Sequence, residues 1–107
     1  MAKYLIEASY TMAGTKGLIA GGGGSARRKA VQDMMQGLGG KVEAFYYAFG
    51  NVDAYVIVDA PDNVTAAAVS LAVNSGGGAT VKTIPLVTVE EMDQAAKKTV
   101  HYRAPGQ

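Results

Sequence analysis

No cysteine occurs in the 107-residue chain, which excludes a disulfide framework, a thiolate metal site and a cysteine nucleophile. Histidine occurs once, at His101 in the tail, so no mechanism or metal site that needs two imidazoles from one chain can be built. Charge of one sign is equally scarce. The net charge is +1, with Lys and Arg scattered among Asp and Glu. A nucleic-acid surface needs clustered positive charge to displace counterions, and that partner class is excluded. No apolar stretch approaches the roughly 18 uninterrupted residues of a membrane-spanning helix. The opening MAKYLIEASYT is broken by Glu7 and Ser9, so it lacks the long apolar centre of a signal peptide. These absences suit a cytoplasmic protein with no metal, no cofactor and no membrane contact.

What is present describes a folded domain. Hydrophobic residues make up 49% and charged residues 18%, enough to build a core, and the length fits one domain spanning 1–107. The most informative stretch is Lys41 to Asp62, KVEAFYYAFGNVDAYVIVDAPD, in which two β-rich runs flank Gly50-Asn51-Val52. Asp59-Ala60-Pro61-Asp62 then stops a strand and opens a helix.

Along the chain, residues 3–11 alternate, with Tyr4, Ile6, Ala8 and Tyr10 on one face and Leu5, Glu7 and Ser9 on the other. The spacing predicts a strand. Met12 to Ala20 carries two glycines and predicts only a short, weak helical turn, and four more glycines follow at 21–24. Ser25 is the expected N-cap of the next helix, in which Val31, Met34, Met35 and Leu38 form one stripe. Gly39-Gly40 supplies its left-handed exit.

Strands are expected at Lys41–Phe49 and Asp53–Asp59, and their register decides which side chains share a face. A two-residue turn, Gly50-Asn51, would pair Tyr47 with Ala54 and Phe45 with Val56. A three-residue turn would put Val42, Ala44, Tyr46 and Ala48 with Ala54, Val56 and Val58. It would leave Glu43, Phe45, Tyr47 and Phe49 with Asp53, Tyr55 and Ile57. The three-residue turn is preferred because it separates a small apolar face from a mixed aromatic and acidic one.

The next helix, from Pro61-Asp62 to Asn74, is apolar nearly all round, with Val64, Ala67, Ala68 and Leu71 as its main stripe. A strand at 79–87 follows, in which Pro85 marks an edge or an end. Thr88-Val89-Glu90-Glu91 is a capping box that opens a final helix with Met92, Ala95 and Ala96 inward.

The βαββαβ order with a C-terminal helix predicts an α+β, ferredoxin-like fold: a four-stranded antiparallel sheet with two helices on one face. The other face would be too apolar to remain in water. Two chains are therefore expected to stack these faces as a dimeric α/β barrel, a homodimer or a higher homo-oligomer.

At this point the sequence resembles the GYD-domain family, small bacterial proteins of dimeric α/β-barrel type. The stretches that carry the resemblance are KYLIEASYT, GGSARRKAV, LGGKVEAFYYAFGNVDAYVIVDAPDN, TVEEMDQAAKK and YRAPG. The family pattern is glycine, a variable residue, tyrosine and aspartate. Gly50 and Asp53 match it, whereas Val52 stands at the tyrosine position, so any role of that hydroxyl is absent here. The resemblance implies a fold and an assembly. It implies no particular reaction.

No catalytic motif is visible, and three regions remain as candidates. Glu7, Glu43, Tyr47, Tyr55 and Lys82, with Phe45 and Phe49, would line the face enclosed by the barrel, a mixture of apolar walls and convergent polar groups suited to a small apolar or aromatic molecule. Asp53 reads first as a turn residue that accepts nearby loop amides, and second as a group facing that ligand. GGGGSARR, with Ser25, Arg27 and Arg28, resembles an anion cradle, yet it lacks the Lys-Ser/Thr ending of a nucleotide loop. A binding or sensing module is the leading functional reading. The alternatives are a cofactor-independent isomerase or oxygenase using Glu7 or Glu43 as base, and a structural subunit that assembles through the apolar helix.

Overall fold

The computed structural model describes residues 1–107. Four strands and four helices follow in the order β1 (Ala2–Tyr10), α1 (Met12–Ala20), α2 (Gly24–Gly37), β2 (Lys41–Tyr47), β3 (Ala54–Ala60), α3 (Asn63–Ser75), β4 (Ala79–Leu86) and α4 (Val89–Ala96). The strands form one antiparallel sheet in the order β2-β3-β1-β4. With helices crossing between them, this is the α+β, ferredoxin-like arrangement expected from the order of elements. No helix is long and apolar enough to cross a membrane.

The alternation of β1 is realised directly. Tyr4, Ile6 and Ala8 are buried beneath the helices, opposite Val58, Val56 and Ala54 of β3. Met35 of α2 and Ala66 and Val69 of α3 close over them. Fully burying a side chain such as Val58 or Met35 contributes about 1.5–3 kcal/mol, and these contacts hold both helices to the sheet. The opposite face, with Leu5, Ile57, Ile84, Tyr46 and Tyr55, has no helix against it.

The hairpin corrects the preferred register. Tyr47 pairs with Ala54 and Phe45 with Val56, the pairing of the shorter turn, although the connection itself runs from Ala48 to Asp53. A shift in register between Val42 and Ala44 then brings Val42 opposite Val58. Val42 and Phe45, three residues apart, consequently both pack on the core. Only an extra residue, Glu43, permits that in a strand of period two. Phe45 and Tyr47 therefore lie on the helix side rather than on the open face.

Each helix also departs from expectation in some respect. α1 is a nine-residue helix rather than a weak turn, capped by the Thr11 hydroxyl, which accepts from the Gly14 amide. Gly23, not Ser25, caps α2, with no side-chain bond. Gly22 and Gly23 have φ of 101° and 85°, the left-handed turn that glycine alone adopts cheaply. In α3 the stripe is reversed: Ala66 and Val69 are buried, while Val64 and Leu71 are 78% and 72% exposed. An all-round apolar helix gives no preferred face. Its rotation is set by polar contacts, the Asp62 cap on the Thr65 amide and the 2.6 Å bond between the Ser70 and Thr83 hydroxyls.

The capping box of α4 is present in full, with the Thr88 and Glu91 side chains each bonded to the other's amide. The inward placement of Met92, Ala95 and Ala96 is not found. No residue of α4 is buried, because the helix runs clear of the sheet and of the other helices.

Candidate functional site

The sheet and three helices leave a cleft of about 580 Å³ on the helix side. Its origin lies in α1, which is tied down at one end only. The Thr11 amide donates to the Gly78 carbonyl at 3.1 Å and the Thr11 hydroxyl to the Gly77 carbonyl at 2.8 Å. Gly14 then sits directly against Gly78, so close that a Cβ would overlap the Gly78 carbonyl oxygen. Beyond that anchor α1 buries no side chain, and the space beneath it stays open. Leu18 of α1, Ala30 and Met34 of α2 and Val73 of α3 form the walls, which are mostly apolar.

Two polar groups enter this space, Tyr10 and Arg27. Burial pushes the Tyr10 hydroxyl above the usual tyrosine range, the neighbouring Tyr47 adds to the effect, and Arg27 opposes it. Tyr10 therefore offers a neutral hydroxyl at ordinary pH. Tyr47 donates its hydroxyl to the Gly24 carbonyl at 3.0 Å, and its ring occupies the place a Cβ on Gly24 would take. The glycine run thus lets the N-terminal end of α2 settle onto the Tyr47 ring. Ser25 makes no cap, and of the three anion candidates only Arg27 reaches the cleft; Ser25 and Arg28 are exposed outside it.

On the open face, register brings Glu7 opposite both Tyr55 and Lys82, so these three expected residues share one rung across three strands. Glu7 and Lys82 also line a smaller, more polar hollow of about 300 Å³ with Ser9, Asn51 and Val52. Glu43 lies elsewhere. It accepts from the Lys3 ammonium at 2.7 Å, while Asp59 accepts from the same ammonium at 2.9 Å. Asp59 is 5% exposed, and a carboxylate so placed requires such a partner. The bond to Glu43 first, and that to Asp59 second, holds the Lys3 ammonium above the usual lysine range. Glu43 is thus an ion-pair partner and not a free base.

The remaining candidates separate. Phe49 stands fully exposed on the connection between β2 and β3, outside either hollow. Phe45 stacks at a tilt on Tyr47, with ring centroids 5.1 Å apart, and serves the core. Asp53 accepts the Tyr10 amide at 2.8 Å, while its own amide donates to the Ala8 carbonyl. This corrects the turn reading of Asp53: the amide it accepts belongs to a neighbouring strand and not to its own loop, and it sets the end of β1 that carries Tyr10 to the cleft. Tyr10 and the cleft walls were not among the expected site residues. Tyr10 falls on the inward face of β1 with the core residues, and nothing in a linear pattern separates a residue that fills a core from one that borders a void.

Fold and site together define a small α+β, ferredoxin-like chain with a partly apolar cleft under a one-end-anchored helix and an uncovered sheet face. The GYD domain matches residues 4–96, and the chain belongs to the GYD-domain family. No curated protein and no solved structure matches it.

Proposed function

We propose that this GYD-domain protein is a binding module for a small apolar or aromatic molecule, working as a homo-oligomeric α/β barrel. The observation that carries the reading is the 580 Å³ cleft, whose volume and mostly apolar lining suit such a ligand. Arg27 and the neutral Tyr10 hydroxyl would address a polar or anionic group on the ligand. α1, anchored at its Thr11–Gly14 end alone, would settle over it. The open sheet face supports the assembly, since Leu5, Ile57, Ile84, Tyr46 and Tyr55 form a patch that a second copy would cover.

The test uses 1-anilinonaphthalene-8-sulfonate, an aromatic anion of suitable size, followed by fluorescence on the native protein. The partner variant is Gly17→Leu, because a Cβ at Gly17 meets nothing within 4 Å and the longer side chain would fill the cleft. Wild type should bind the dye. The variant should bind at least about tenfold more weakly, a loss of ~1.4 kcal/mol. Equal binding by both proteins, or dye lost instead from Ile57→Glu on the open face, would remove the cleft as the site.

A further inference from the structure

α4 has eight residues, and no residue in it is buried. Isolated helices shorter than about 12–15 residues are marginal in water, so a capping box alone does not hold two turns in shape. Val89, Met92 and Ala96 nevertheless fall at i, i+3 and i+7, an apolar stripe built for a surface. Val89 is 74% exposed and Met92 57%, and downstream Val100 and Tyr102 are 76% and 74% exposed. The radius of gyration is 16.9 Å, against about 13 Å for a compact chain of this length, and the long dimension reaches 57 Å. The C-terminal arm, Val87 to Gln107, therefore carries an amphipathic helix whose apolar stripe is not buried in its own chain.

We infer that this arm docks on a second copy of the chain, with the stripe of α4 lying over β2 at the rim of the partner's open sheet face. The inference rests on the face-to-face pairing proposed above and adds to it. Four strands at ~4.8 Å spacing and about 7 residues of length give a planar footprint of about 450 Å² per chain, a small face for an interface that buries about 800 Å² of accessible surface per partner. The arm would enlarge it. Placement follows from the strand order β2-β3-β1-β4 once the two-fold axis is taken to run along the strands, an orientation that is part of the inference. A two-fold axis running along the strands sets β4 of one chain across from β2 of the other. It also keeps Leu86, from which the arm departs, at the end of the sheet that holds Lys3, Asp59 and Lys41. Charge agrees with this placement. At that end Lys3 is shared by Glu43 and Asp59. This leaves Lys41, its side chain 71% exposed with only a 3.8 Å contact to Asp59, as the cation available to Glu90 and Asp93 of α4, Glu91 being held in the capping box.

The absence of cysteine allows a clean test. Met92→Cys and Ala44→Cys are prepared as separate proteins, mixed and oxidised. The mixture should give a disulfide-linked pair of one chain of each kind, at a yield neither variant reaches alone. In sedimentation, Val89→Asp with Met92→Asp should raise the dimer dissociation constant at least about tenfold while leaving the fold intact, because neither side chain touches its own chain's core. A wild-type dimer that neither cross-links in this way nor weakens in the double variant would overturn the arm contact and leave the face pairing standing. A wild-type monomer at micromolar concentration would overturn the pairing itself. Ring closure within a single chain carrying both cysteines would overturn the inference, as would cross-linking of Met92→Cys to Leu71→Cys on α3.

Discussion

Replacing Gly14 and Gly17 by alanine, one at a time, should move stability in opposite directions although both lie in α1. Exchange of an interior helix glycine for alanine ordinarily gains about 0.5–1 kcal/mol, because alanine has less freedom to lose on folding. At Gly17 nothing opposes that gain, since an added Cβ meets no atom within 4 Å. At Gly14 the same Cβ would stand 1.8 Å from the Gly78 carbonyl oxygen. A close C–H to oxygen contact needs about 3.3 Å, so α1 or the Gly78 strand end must retreat by about 1.5 Å. Overpacking of this kind costs about 1–3 kcal/mol. The retreat also strains the hydrogen bond from the Thr11 amide to the same carbonyl, at 3.1 Å. Set against the propensity gain, Gly14→Ala should lose roughly 2–3 kcal/mol, or on the order of 10 °C in melting temperature. Urea and thermal unfolding at one fixed protein concentration would measure both variants, since assembly would otherwise shift the midpoints. If Gly14→Ala proves as stable as Gly17→Ala, the anchoring of α1 on Gly78 is refuted, and with it the account of the cleft as space beneath a helix held at one end.

Two further outcomes follow from the polar contacts. Asp53→Ala should cost about 1–2 kcal/mol through loss of the acceptor for the Tyr10 amide, while Asp53→Asn, which keeps an oxygen there, should recover most of it; urea unfolding reads both. The Asp62 carboxyl lies below its ordinary value of 3.8 because the Thr65 amide donates to it, and the Glu91 carboxyl lies below 4.5 through the Thr88 amide. A carboxyl lowered by folding stabilises the fold above its unfolded value and loses that contribution as pH falls through the folded one. The amide resonances of Thr65 and Thr88 should therefore titrate with midpoints below 3.8 and 4.5, and midpoints at or above those values would refute the caps.

Much of the fold was legible because local signals agreed with one another. The alternation of β1, the capping box at Thr88, the Asp62 start and the glycine exits each name an element boundary by its own chemistry. Gly39, with φ of 78°, is such an exit. Reading failed where both faces of an element are apolar. Lys41 to Tyr47 offers rings in both registers, and one bulged residue exchanges them. α3 is hydrophobic around its circumference, so a hydroxyl pair from Ser70 to Thr83 decides its rotation and no apolar pattern does. The cleft was illegible for another reason. It is made by what small residues leave empty beneath α1, and a void has no residue type. Of the expected open-face residues, Glu7, Tyr55 and Lys82 do share one rung, because register in the central strands follows from the strict alternation of β1.

The two outer strands share a property that bears on behaviour at high concentration. β4 carries Pro85, which has no amide hydrogen to give, and β2 is only seven residues long and kinked at Glu43. A strand arriving from another molecule would find a missing rung on one side and an interrupted, lysine-fronted ladder on the other. Lateral growth into fibres is thereby discouraged at both margins. The proposed pairing of open sheet faces would use neither margin, so it would close as a pair and not propagate along them.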